Sequence, residues 1–261
     1  MPRDYDRPSD ATRAGECAPM DCTSRSPAAF FDSIAGRYER SYGLEGGESR
    51  RRMGWVLSVL PPPPSRLLDL GVGTGREIPF LLDGGYDVTG LDASTAMLER
   101  CARRARPIPL VNADFWNTLP FEDASFGAAV ALHGTLAHAP DDDALTRLAS
   151  ELARITVAGA VWVSEMPSPA WLDDLGRGAA FEGCVVRRTG LRTCVCEDSA
   201  TSASIDVRVP SAQEWRVALE PQWDVDIAGM GPDAFAGNRA VASEDFRSHV
   251  EWRVIARRRQ S

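Results

Sequence analysis

The chain contains no lysine: all 29 of its basic residues are arginine. That excludes a lysine Schiff base, a lysine nucleophile and a lysine-containing phosphate loop. Histidine is almost as scarce. His133, His138 and His249 are the only three, and no H-E-x-x-H zinc site can be written from them. The six cysteines, at 17, 22, 101, 184, 194 and 196, form no paired C-x-x-C modules, so no zinc ribbon and no other metal site is expected. Cys194 and Cys196 fall on the same side of a strand, an awkward geometry for a mutual disulfide. All six are expected to be reduced thiols of a cytoplasmic protein. Met1 to Ser26 lacks the apolar core of a signal peptide, and no apolar run reaches the roughly 18 residues of a membrane span.

What is present fits an ordinary globular composition, 44% hydrophobic and 25% charged over 261 residues. A single domain of this length buries roughly 70–75% of its unfolded surface and needs no staple. The net charge of −8 and pI near 5.0 argue against binding nucleic acid by a bulk basic field. The runs Arg50-Arg51-Arg52, Arg103-Arg104 and Arg257-Arg258-Arg259 read as solvated surface.

Residues 1–25 read as a disordered leader, 26–257 as one domain with a lid insert over 165–220, and 258–261 as a tail. Phe30, Phe31, Ile34 and Tyr38 share a face of a first helix, and Met53, Val56, Leu57 and Leu60 a face of a second, Ser49–Leu60. Strands and helices then alternate. The strands are Arg66–Leu70, Asp87–Leu91, Ile108–Val111, Phe126–Leu132 and Ala158–Ser164; the helices are Glu77–Leu82, Thr95–Arg104 and Asp141–Ile155. This alternation predicts an α/β fold with a doubly wound, mostly parallel sheet. After Glu165 the pattern predicts a helix over Trp171–Phe181 and two antiparallel strands, Cys184–Cys196 and Ser202–Val209. A capped helix then opens at Ser211, and the strands Trp223–Ala228 and Val250–Arg257 close the chain.

The sharpest signal is Asp69-Leu70-Gly71-Val72-Gly73-Thr74-Gly75-Arg76, where a strand gives way to a helix. Glycines there let a ligand approach the main chain. The spacing is G-x-G-x-G; a dinucleotide loop wants G-x-G-x-x-G, and its third glycine would fall on Arg76. A carboxylate at Asp69 repels a pyrophosphate but suits an ammonium or sulfonium. Asp92, ending the next strand, can accept hydrogen bonds from a ribose diol. Asp114, beside Phe115 after the third strand, can accept from an adenine amine. Each acid alone also fits a strand-end turn; it is their order along the chain that points to a nucleoside.

That order of glycine loop, ribose acid and adenine acid resembles the class I S-adenosylmethionine-dependent methyltransferases. The segment Phe31-Asp32-Ser33-Ile34-Ala35-Gly36-Arg37-Tyr38-Glu39 is similar to the N-terminal helix of the ubiquinone/menaquinone C-methyltransferase branch. The resemblance spans about residues 28–257. It implies a seven-stranded sheet with an antiparallel last strand. By the same resemblance Asp69, Gly71, Gly73, Thr74 and Gly75 hold the methionine end. Asp92 takes the ribose, Ala93 and Met97 flank the adenine, and Asp114 with Phe115 reads its edge. Leu132 lies beside the cofactor and Tyr38 closes the pocket. The implied activity is methyl transfer from S-adenosylmethionine to a small-molecule acceptor by in-line displacement, in a monomer or homodimer. His133 and, less directly, His138 are the candidates for a catalytic base if the acceptor must lose a proton; both also fit packing roles, and His249 reads as structural. The Asn/Asp-Pro-Pro-aromatic motif of nucleic-acid amino methylation is absent after the fourth strand, where Ala131-Leu132-His133-Gly134 stands. The lid aromatics Trp171, Phe181 and Trp215, with Val185, Val186 and Val195, either favour an apolar acceptor or serve packing. Two alternatives stay open: a non-catalytic cofactor-binding protein on the same fold, and an NAD(P)-dependent oxidoreductase.

Overall fold

The computed structural model describes residues 26–42, 46–104, 106–169, 171–172, 184–230 and 251–260. The expected leader, His249 and most of the expected helix Trp171–Phe181 lie outside the described residues.

Strands β1 (Arg66–Leu70), β2 (Asp87–Asp92), β3 (Leu110–Asn112), β4 (Phe126–Ala131) and β5 (Thr156–Pro167) form a sheet with β9 (Trp223–Met230) and β10 (Glu251–Arg258). Its seven strands run in the order β3-β2-β1-β4-β5-β10-β9. β1 to β5 pair in parallel, and β10 runs antiparallel to both β5 and β9. The order reverses direction between β1 and β4, which opens a crevice at the carboxyl ends of those strands.

Alternation along each strand feeds two cores. Leu68, Leu70, Ala129 and Ala131 face one side, where α6 (Ala144–Ile155) contributes Leu145, Leu148 and Leu152 and α7 (Ala212–Leu219) contributes Trp215 and Leu219. Leu67, Val88, Ala128 and Val130 face the other, under α3 (Gly46–Val59), α4 (Ile78–Asp83) and α5 (Thr95–Arg104). Trp162 of β5 packs between Trp215 and Trp223, at ring-centroid distances of 6.0 and 5.9 Å.

Three expectations need correction. The N-terminal helix is two: α1 (Pro27–Ile34) and α2 (Tyr38–Tyr42), with a turn through Gly36. The segment expected as two strands is a three-stranded antiparallel sheet: β6 (Cys184–Arg188), β7 (Thr193–Asp198) and β8 (Ser204–Arg208). A turn around Gly190 splits the first expected strand, with the Thr189 and Gly190 amides donating to the Thr193 carbonyl. The arginine runs are not uniformly solvated either: Arg52 is 3% exposed.

α7 opens with the expected capping box. Ser211 Oγ accepts from the Glu214 amide, and Glu214 accepts from the Ser211 amide. Ser211→Ala is expected to lower stability by about 1 kcal/mol, read as a shift of the urea midpoint at unchanged slope. An unchanged midpoint would contradict this role for the cap.

Candidate active site

A cavity of about 300 Å³ lies at the carboxyl ends of β1, β2 and β4, beneath α1 and α2. The turn after β1 forms its floor. Gly71, Gly73 and Gly75 have φ of +66°, +53° and +75°, a region that side chains with a Cβ avoid. The amides of Gly71 and Val72 both donate to the Leu91 carbonyl, at 2.8 and 3.0 Å. The Gly73 amide donates to Asp92 Oδ2 at 2.8 Å, and Asp92 Oδ1 accepts from the Ser94 amide at 2.8 Å. The loop is therefore fastened to the tip of β2. A Cβ on Gly71 would collide with the Thr135 side chain of the loop after β4.

Of the expected cofactor residues, Tyr38, Gly71, Gly73, Thr74, Asp92, Ala93, Met97, Asp114, Phe115 and Leu132 line this one cavity. Asp69 and Gly75 do not. Asp69 is 4% exposed; burial, with Glu77 and Asp92 nearby, pushes its carboxyl well above the usual range and favours its protonated form. Burial also raises Asp92, against the amides that bond it. Asp114 Oδ1 accepts from the Trp116 amide at 3.0 Å.

The N-terminal helices close the roof by polar ties. Asp32 Oδ1 accepts from Ser94 Oγ at 2.6 Å and from the Ala96 amide at 3.0 Å. Thr74 Oγ1 donates to Glu39 Oε1 at 2.7 Å. Arg37 pairs with the buried Asp198 of β7. Burial raises the Tyr38 phenol, against the pull of Arg76. None of Trp171, Val185, Val186, Val195 and Trp215 lines the cavity, while Trp171 and Trp215 are core residues. Phe181 lies outside the described residues. The lining also includes Arg76 and Phe31, and residues given no role from the sequence: Glu77, Asn112, Trp116 and Thr135.

Both candidate histidines reach the cavity, but their ring nitrogens are occupied differently. His133 has φ of +56°. Its Nδ1 stands 3.1 Å from Arg52 Nη1, and its Nε2 stands 2.5 Å from Glu77 Oε1. A guanidinium only donates, so Nδ1 must accept and Nε2 must carry the proton to Glu77. Burial and Arg52 hold His133 below the ordinary histidine range, against Glu77. The chain continues inward: Arg52 Nη1 donates to Glu165 Oε2 at 2.6 Å, and Arg253 Nε donates to Glu165 Oε1 at 3.2 Å. Neither ring nitrogen of His133 is left to take a proton from a ligand. At His138, Nδ1 is 3.2 Å from the Asp206 carbonyl. A carbonyl only accepts, so this nitrogen carries the proton and Nε2 holds the lone pair. Burial lowers His138, against the bond to Asp206.

Among the described residues the cavity presents carboxylates and open backbone, with Arg76 as its one guanidinium. A cationic, phosphate-free nucleoside fits this donor set; a pyrophosphate does not. A Cβ built on Gly73 meets nothing nearer than the Gly71 carbonyl at 3.9 Å, which leaves room for close approach. Seven strands in this order, with the cavity where the order reverses, are the Rossmann-like sheet found in methyltransferases. Residues 67–159 match the family model described as a methyltransferase domain. The demethylmenaquinone methyltransferase of Beutenbergia cavernae is 34% identical over 157 residues, covering 59% of this chain and 63% of that one. The chain thus spans under two thirds of that relative's length. An uncharacterized methyltransferase of Mycobacterium tuberculosis is 28% identical over 212 residues, covering 80% and 79%. Among solved structures, the CcbJ methyltransferase of Streptomyces caelestis superposes with a TM-score of 0.63 at 19% identity, covering 88% and 98%. Residues 67–159 thus carry a methyltransferase domain, on a fold that the chain shares with S-adenosylmethionine-dependent methyltransferases.

Burial pushes Glu77 up, but His133 and Arg76 more than offset it and hold the carboxyl at about 2. A carboxylate depressed on folding contributes stability above its unfolded pKa of about 4.5, lost as pH falls toward the folded value. Glu77→Gln is therefore expected to cost stability at pH 7 and to narrow its gap to wild type between about pH 4.5 and 2. Urea unfolding at both ends of that window checks this, and a gap independent of pH would contradict it.

Proposed function

We propose that this chain binds S-adenosylmethionine in the cavity between β1 and β4 and transfers its methyl group to a small organic acceptor. The observation that carries the reading is the placement of Asp92, Asp114 and the open Gly71–Gly73 backbone around one cavity. When bound, the sulfonium supplies an electrophilic methyl group; the chain's own contribution is alignment and exclusion of water. Asp92, already oriented by the Gly73 and Ser94 amides, would accept from the ribose hydroxyls with its remaining lone pairs. Ala93 and Met97 would flank the adenine, with Asp114 and Phe115 at its edge. Asp69 would act on the methionine end only from behind the loop.

Phe31 and His138, with ring centroids 5.4 Å apart, also line the cavity, which suits a ring-bearing acceptor. The name of the Beutenbergia relative points the same way, to a quinone-type small molecule. The acidic balance of the whole chain supports a small acceptor over a nucleic acid. No described helix is long and apolar enough to cross a membrane. We place the enzyme in the cytoplasm, as a monomer or homodimer.

Calorimetric titration with S-adenosylhomocysteine tests the reading. Wild type is expected to bind, and Asp92→Ala is expected to weaken binding by about 10- to 100-fold, the loss of hydrogen bonds to a charged group. Absence of binding at millimolar ligand, or a variant indistinguishable from wild type, would contradict it. Binding without turnover across a broad acceptor panel would favour a cofactor-binding protein without catalysis.

A further inference from the structure

We propose that His138 Nε2 receives the proton that the methyl acceptor gives up, and that the acceptor therefore presents an O–H or N–H to this wall of the cavity. This rests on the methyl-transfer reading and goes beyond it by fixing the base and the chemical class of the nucleophile.

Three observations carry it. First, the 3-10 turn Thr135–His138 puts the imidazole on the cavity wall while its Nδ1–H is committed to the Asp206 carbonyl of β8. A backbone carbonyl cannot donate, so this bond fixes the tautomer and leaves the lone pair on the opposite edge of the ring. Second, Nε2 has no partner among the described residues, yet it is not sealed off as a buried unsatisfied atom. The atom is accessible on a residue that lines the cavity, and an acceptor nitrogen is matched by a ligand that donates. Third, Phe31 of α1 meets the imidazole edge-on, at 5.4 Å and 71° between rings, and fixes its orientation from the roof. His133 satisfies none of these conditions, because Arg52 and Glu77 take both of its nitrogens.

The step balances as follows. A lone pair on the acceptor's oxygen or nitrogen becomes the new bond to the methyl carbon, and the carbon–sulfur pair stays on sulfur as a thioether. The acceptor's proton passes to Nε2, giving an imidazolium that returns it to water. Among the described residues no carboxylate bonds the His138 ring; its partner is the Asp206 carbonyl. On β8, Asp206 has a further interaction and Arg208 pairs with Asp142. On β5, Glu165 is held by Arg52 and Arg253, and on α1, Asp32 is held by Ser94 and Ala96. Burial lowers His138, against the bond to Asp206, and favours its neutral form at pH 7.

The test uses the full chain with isotope-labelled histidine. Long-range proton–nitrogen NMR reports the tautomer of each imidazole, with His138→Gln assigning the resonances. The expected result is the Nδ1–H form for His138, neutral at pH 7, and the Nε2–H form for His133. The Gln variant can keep the bond to Asp206 but not the base. It is expected to bind S-adenosylhomocysteine as wild type does. Its turnover of radiolabelled S-adenosylmethionine with simple phenols and amines is expected to fall about 100- to 10,000-fold. The fall should shrink as pH rises through the acceptor's own pKa. An Nε2–H tautomer at His138, or unchanged turnover in the variant, would overturn the inference. The spectrum decides whether or not a panel compound is turned over. Loss of S-adenosylhomocysteine binding by wild type is a different outcome: it defeats the methyl-transfer reading itself.

Discussion

The short turn after β1 is fastened to the end of β2, and the rest of the site follows from that attachment. Two amides, of Gly71 and Val72, share the Leu91 carbonyl, and a third, of Gly73, is held by Asp92. These bonds demand left-handed backbone at Gly71 and Gly73. They also do two jobs with one carboxylate. Asp92 shapes the loop and stands at the rim of the cavity that the loop creates. The strand order reverses at this point, so the cavity opens where a parallel sheet leaves a crevice.

A second set of constraints runs under the cavity. From Arg76 through Glu77, His133, Arg52 and Glu165 to Arg253, charged or polar groups alternate as donor and acceptor across α3, β4, β5 and β10. Buried charges persist only when paired and hydrogen-bonded in this way. Arg253 closes the inner end by lying 4.0 Å over the Trp55 ring. The chain explains why His133 adopts a left-handed backbone next to Gly134. The turn brings its ring between two fixed partners, at a conformational cost that the surrounding bonds offset. It also separates the two histidines by role: one is a link in a scaffold, the other a wall residue with an open lone pair.

Much of this was legible in the sequence, for identifiable reasons. The parallel strands showed because their apolar runs are short and bounded by helices of clear period, as at Leu145, Leu148 and Leu152. The three acids at successive strand tips showed because strand ends can be located to within a residue or two. The antiparallel insert showed as two strands and not three, because β6 and β7 are joined by Thr189-Gly190-Leu191-Arg192, whose turn is set by backbone bonds to Thr193 and carries a large apolar residue. The break between α1 and α2 was hidden because Tyr38 keeps the helical spacing of Phe31 and Ile34 while the backbone does not. Arg52 read as surface because it follows two other arginines; only the distant residues Glu165 and His133 reveal its buried side. The ranking of the histidines could not be read from residue order, since it depends on which atoms of Arg52, Glu77 and Asp206 arrive from elsewhere in the fold.

A crystal structure of the protein with S-adenosylhomocysteine tests the central claim most directly. The account places both ribose hydroxyls on Asp92 and the adenine between Ala93 and Met97, its edge on Asp114. The sulfur would then lie on the side of the cavity that His138 lines. A nucleoside bound away from the β1–β4 crevice, or one whose ribose leaves Asp92 unengaged, would contradict it.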